Sequence, residues 1–516
     1  MAEPAAKNET IGGPAVDADS ATASAAAQAM ASGALTSASL TEFYLDRIDR
    51  LNPLLRAVIS VNAGARDEAA ASDQARGDGA ARGPLEGIPV LVKDNVAVRG
   101  MPATAGSAAL LDAESGDAFL VTRLRAAGAV IIGKANMSEW ANFRSTHSTS
   151  GWSTLGGQAA NPHALDRSPS GSSSGSGVAV AAGLALLAVG TETDGSIVCP
   201  ASACGIVGLK PTVGLVSRTG IVPISSAQDT AGPMARTVAD AAAMLSVLAA
   251  ADPADPATGP AGGRPGDYTS FLDRGALAGA RLGVWRAGCT GAGQRTMAVL
   301  DAALAQLRGL GAEVLDPVEL PGVDDISEHE FAALLHEFKR DLNDYLGALP
   351  GHHPATLAEV IEFNSRNARE ALVYFGQELF ERAAATSGAP ADPAARAARD
   401  AATRLARAAL DGPLAAHHLD AIITLTANPA CLTDYVLGDH DVFHTSAPSA
   451  VAGYPAVSVP CGYVAGLPVG LSFLGPAWSE PTLIGLAHAF EQAARPGRPP
   501  SLRASAQPGG AAGTRS

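Results

Sequence analysis

Two serine- and glycine-rich clusters bracket an apolar segment near the middle of this chain. The first reads SGSSSGSG (170–177), the second TETDGS (191–196), and VAVAAGLALLAV (178–189) runs between them. The apolar segment carries no charged or polar side chain, so it must be buried, and its length suits one buried helix. A core deep enough to surround it needs a long apolar chain. The sequence meets that need with 516 residues, 47% hydrophobic and 17% charged, the balance of a folded chain rather than a disordered one.

The flanking patterns alternate between helix and strand. Residues 21–51 show helical periodicity with a capping signal at 37–41. GIPVLV (87–92) is a short apolar run ending at Lys93, suited to a buried strand that delivers the lysine at its end. Residues 121–128 predict a helix and 129–133 a strand, and 282–284, 296–310 and 313–315 predict a strand–helix–strand passage. Such alternation implies an α/β layered core. Residues 251–267, rich in Pro, Gly and Asp, predict a loop. Residues 328–346, 357–385 and 391–410 predict helices that cover a cleft. No linker separates two complete apolar patterns and no internal repeat is present. The expected organisation is one domain over 21–502, with core segments 60–240 and 415–490 and a variable helical cover at about 320–410. Flexible tails are expected at 1–20 and 503–516.

Ser172 and Ser196 lie 24 residues apart, and Lys93 precedes Ser172 by 79. Serine, serine and lysine set around a buried helix can build an acyl-transfer nucleophile without histidine. At these residues the chain resembles the amidase signature family. That family's hallmark is a Gly-Gly-Ser-Ser-Gly-Gly-Ser-like loop, a small-residue helix, a Gly-Ser-Ile turn and a Gly-Leu-Lys-Pro-Thr stretch. Here they read SGSSSGSG, VAVAAG, DGSI and GLKPT (208–212). LTEFYLDRI (40–48), GIPVLVKDN (87–95), QDTAGPMART (228–237) and GYPAVSVPCG with GLPVGLSFLG (453–475) extend the resemblance. SEWANFRS (138–145), SGW (150–152), GTETDGSIVCPAS and LKPTVGLVSRTGIVPIS are similar to the bacterial peptide amidase branch, which removes the C-terminal amide of peptides. The wider family more often has glycine where Asp194 stands and arginine where Val198 stands.

The resemblance implies a single large α/β/α domain with a mixed central sheet covered by helices. It also implies a serine amidohydrolase that converts a carboxamide to carboxylate and ammonia. Ser196 is the expected nucleophile, which needs a nearby base because a serine hydroxyl is weak at neutral pH. Backbone amides of Thr193, Asp194, Gly195 and Ser196 form the expected oxyanion hole. Lys93 is the expected base. Burial disfavours its charged form, and the charge of Asp94 opposes that effect if it lies close. By resemblance Ser172 follows a cis peptide bond, Gly171–Ser172, and relays a proton between Lys93 and Ser196. Ser173 and Ser176 are expected to be loop hydrogen-bonders. Cleft walls are expected from 138–152 and from the helices at 320–385. IITLTANPA (422–430) departs from the family's pattern at a strand expected to shape the cleft.

Other readings share these residues. GSSSG (171–175) matches the Gly-x-Ser-x-Gly elbow of α/β-hydrolases, but that elbow needs a strand directly before it, and NPHALDRSPS (161–170) reads as loop. The substrate could be a simple aryl, alkyl or fatty amide instead of a peptide amide. The chain could also be the amidase component of a tRNA-dependent amidotransferase, or a binding scaffold without activity, although no triad residue is lost. The mechanism calls for no metal and no organic cofactor. A formal charge of −15 disfavours a nucleic-acid surface. Five cysteines, an odd number without Cys-x-x-Cys spacing, disfavour a disulfide framework or zinc site, and Cys199 and Cys204 read as core residues. The N-terminus lacks the basic start and apolar stretch of a signal peptide, and no apolar run reaches a membrane span. A cytoplasmic monomer or homodimer acting on a small-molecule or peptide amide is the expectation.

Overall fold

The computed structural model describes residues 10–11, 16–17, 21–494 and 497–506. Its centre is a mixed sheet of eleven strands. In chain order they are β1 (Val58–Val61), β2 (Pro89–Lys93), β3 (Val130–Ala135), β4 (Leu187–Glu192), β5 (Val207–Lys210), β6 (Thr230–Ala235), β7 (Arg281–Val284), β8 (Glu313–Leu315), β9 (Ala421–Leu425), β10 (Ala456–Val464) and β11 (Leu467–Leu474). The spatial order is β8-β7-β9-β11-β10-β5-β6-β4-β2-β3-β1. The runs β4-β2-β3 and β8-β7-β9 are parallel, and the remaining pairs are antiparallel. Every residue of β2, β3 and β4 is buried, as strands covered on both faces must be. Helices Ser37–Leu55, Ser174–Ala181, Val198–Cys204, Val238–Leu248, Gln294–Gly309 and Glu480–Ala494 pack against the sheet.

The expected α/β core is present, with four local corrections. Segment 178–189 is not one helix. Helix Ser174–Ala181 stops before Gly183 (φ 69), and the remaining apolar residues become β4. A sheet position between β2 and β6 is filled by these residues, and a continuous apolar run has no periodicity to tell strand from helix. The helix expected over 21–51 is two helices, Ala23–Ala31 and Ser37–Leu55, because Thr36 and Ser39 form a capping box that restarts it. The helix expected over 357–385 breaks into Leu357–Arg366, Ala368–Ala371 and Glu378–Ala384, since Phe375 leaves the helical path to pack on Trp152. The loop expected at 251–267 contains a 3-10 segment, Pro256–Gly263.

Most of the expected N-terminal tail lies outside the described residues; Thr10–Ile11 and Val16–Asp17 pair antiparallel. Of the expected C-terminal tail, residues 507–516 lie outside the described residues, while the Arg503 carbonyl accepts the Leu165 amide at 2.8 Å. All five cysteines are free thiols. No helix among the described residues is long and apolar enough to cross a membrane.

Candidate active site

The geometry begins with register. β2 lies between β4 and β3, with Val92 paired to Val189 and Lys93 to Ala135. Side chains alternate along a strand, so Lys93 and Asp94 depart in opposite directions. Lys93 is fully buried. Its Nζ lies 2.8 Å from Ser172 Oγ, 3.0 Å from the Thr191 carbonyl and 2.9 Å from Thr191 Oγ1. Burial lowers its pKa from 10.5 to about 7, against the opposing charges of Glu192 and Asp229. Asp94 does not contribute to that balance. Its carboxylate faces Lys134 at 3.2 Å and accepts from Thr104 Oγ1 and the Gly106 amide.

Ser172 sits in the loop before helix Ser174–Ala181, and the Gly171–Ser172 peptide bond is cis. Gly171 has no room for a side chain, because a Cβ there would run into Ser138 Oγ. The neighbouring serines hold the loop to β4. Ser173 Oγ donates to the Thr191 carbonyl at 3.0 Å and accepts the Thr191 amide at 3.2 Å, and Ser176 Oγ donates to the Val189 carbonyl at 2.9 Å. Both serve as the loop hydrogen-bonders the sequence suggests.

Ser196 follows the tight turn that ends β4. Gly195 has φ 78, and a Cβ there would meet Ser446 Oγ at 2.8 Å and Cys199 Sγ at 2.9 Å. Glycine is therefore required both for conformation and for space. The Ser173 amide donates to the Ser196 carbonyl at 3.1 Å and ties the two serine loops together. Two buried carboxylates brace the turn. Glu192 accepts the amides of Ile197 and Val198 at 2.7 and 3.0 Å; burial raises its pKa, with the Lys210 charge opposing. Asp229 accepts Thr193 Oγ1 at 2.5 Å and the amides of Ile224 and Ser225 at 2.8 and 2.9 Å, and burial lifts it to about 6.

These elements meet at a cleft of about 240 Å³. Ser172, Thr193, Asp194 and Ser196 line one side, and Phe143, Leu334 and His444 line others. Lys93 lies behind Ser172, out of the cleft. Trp140, Ala141 and Asn142 carry left-handed backbone (φ 52, 53 and 72) at one wall. The Trp140 ring, edge-on to Phe380 at 5.7 Å, and its amide, bonded to the Ala105 carbonyl at 2.9 Å, hold that turn. The serine loop follows no strand, since 161–170 is irregular, so the hydrolase elbow is absent. His444, the histidine lining the cleft, lies 3.1 Å from Ser446 Oγ through Nδ1. Sequence reasoning missed Thr191, Glu192 and Asp229. The first two stand inside TETDGS itself, and Asp229 within QDTAGPMART.

Residues 39–484 match the Amidase family. The chain belongs to that family. A probable amidase of Arabidopsis thaliana is 41% identical over 480 residues, covering 91% of this chain and 89% of the relative. A glutamyl-tRNA(Gln) amidotransferase component of Synechococcus is 35% identical over 482 residues, covering 90% and 96%. Among solved structures, the native peptide amidase of Stenotrophomonas maltophilia superposes with a TM-score of 0.89 at 50% identity, covering 93% of this chain and 98% of that one. This amidase is accordingly an amide-hydrolysing enzyme with the mixed, helix-covered sheet of its family.

Proposed function

We propose that this amidase hydrolyses the C-terminal amide of peptides through an acyl intermediate on Ser196, with Ser172 as proton relay and Lys93 as base. The observation that carries the reading is the buried Lys93 amine, 2.8 Å from Ser172 and with a pKa of about 7. A neutral amine has two N–H groups, which the two Thr191 oxygens accept, and one lone pair, which is left for the Ser172 hydroxyl. As Ser196 Oγ attacks the carboxamide carbon, its proton passes to Ser172 and the proton of Ser172 passes to Lys93. The oxyanion is met by amides of Thr193–Ser196. Collapse breaks the C–N bond and returns a proton to the departing ammonia. Water then releases the carboxylate by the same path in reverse. The likeness to the Stenotrophomonas peptide amidase at 50% identity supports a peptide amide as substrate.

The test is ammonia release from C-terminally amidated peptides, benzamide-like and aliphatic amides, and free glutamine. Peptide amides are expected to be the preferred substrates. Ser196→Ala and Ser172→Ala are expected to lose at least about 10³-fold in kcat. Glutamine as the sole substrate would point instead to the amidotransferase role, and an active Ser196→Ala enzyme would refute the nucleophile.

A further inference from the structure

Eleven large apolar side chains are exposed among the described residues, and seven belong to two short segments, 373–374 and 432–442. That clustering marks a patch rather than scattered surface residues. The segments face each other. Tyr374 stacks on Tyr435 with ring centroids 4.2 Å apart, and meets Trp152 edge-on at 5.6 Å. Beside the stacked rings lies a groove of about 660 Å³ lined by Trp152, Gln158, Tyr374, Leu432 and Tyr435, among others.

The groove lies beside the catalytic cleft. Ser150 lines the cleft, and its carbonyl accepts Nε2 of the groove's Gln158 at 2.8 Å, so the walls of the two are in contact. The Ser150 amide donates to Asp439 at 3.0 Å, anchoring the loop that carries the groove's Leu432 and Tyr435 at one end and the cleft's Asp441 and His444 at the other. A peptide whose amide reaches Ser196 must leave the cleft, and Ser150 stands where the cleft wall meets the groove wall.

We propose that this groove binds apolar or aromatic residues of the substrate peptide upstream of the amide. The enzyme then reads the chain upstream of the bond it cuts. This rests on the peptide-amide reading above. Tyr374 and Leu432, 43% and 51% exposed, are the residues to remove, since neither supports the core.

The experiment compares kcat/KM for an amidated dipeptide, an amidated pentapeptide with Phe or Leu upstream, and its Gly/Ser counterpart. The enzymes are wild type, Tyr374→Ala and Leu432→Ala. The wild type is expected to favour the apolar pentapeptide by about tenfold, mainly through KM, as burial of one apolar side chain supplies. Both variants are expected to lose most of that gain and to keep dipeptide hydrolysis within about twofold of wild type. Equal rates on both pentapeptides, or a gain that survives both substitutions, would overturn the groove and leave the peptide-amide reading standing. No hydrolysis of any of the three peptides would overturn both. A concentration-dependent dimer abolished by either substitution would reassign the patch to a second copy of the chain.

Discussion

Replacing Lys93 by methionine tests the buried amine without chemistry. The pKa displacement from 10.5 to about 7 corresponds to about 5 kcal/mol against folding. Because the folded-state value lies below the unfolded one, this penalty is present in full below pH 7. It fades as pH rises towards 10.5, where the unfolded chain also loses its proton. It is worth about 5 kcal/mol at pH 6 and about 1–2 kcal/mol at pH 9.5. Lys93→Met removes the penalty but also removes the contacts to Ser172 and Thr191, which together contribute about 3 kcal/mol. The variant is therefore expected to be more stable than wild type by about 2 kcal/mol at pH 6, and less stable by about 1–2 kcal/mol at pH 9.5. The hydrogen-bond loss is the same at every pH, so the change between the two conditions reports burial of the amine alone. Chemical denaturation of both proteins across this range is the assay, with hydrolysis abolished in the variant. In wild type, kcat/KM should climb tenfold per pH unit below about 7 and then level. A stability difference that stays flat from pH 6 to 9.5 would refute the reasoning.

Two further substitutions probe the frame around the cleft. Asp94→Ala leaves Lys134 buried without its carboxylate partner at 3.2 Å and should cost about 3–5 kcal/mol of stability; an unchanged denaturation midpoint would show that the pair is dispensable. Glu192→Ala orphans the buried amides of Ile197 and Val198, with an expected loss of about 2–4 kcal/mol. Glu192→Gln, which keeps an acceptor oxygen, should be milder, and equal effects would argue against the amide role.

How much of this could be read from the sequence depended on the kind of signal. GIPVLVKDN was legible because a short apolar run ending in lysine has one economical placement, a buried strand with the amine at its end. The roles proposed for Ser172 and Ser196 come from the family resemblance; what the sequence itself marks is the glycine beside each, which tolerates the turns and close contacts at 171 and 195. The course of 178–189 was not, because a run apolar at every position offers no period. The break near Phe375 was not, because its cause is a tertiary contact with Trp152. Glu192 and Asp229 escaped notice because their partners are mostly backbone amides, which leave no spacing pattern.

The proposed triad is drawn from one stretch, 93–196, whose strands sit side by side in the sheet. Leu334 and the 427–444 loop, which close the cleft, come from elsewhere in the chain. The reacting groups thus share one stretch with part of the cleft wall, Phe143 and Ser150 included, while the remaining walls come from later parts of the gene. Exchange of 326–384 or 427–444 between relatives would redraw those later walls while leaving the reacting groups in register.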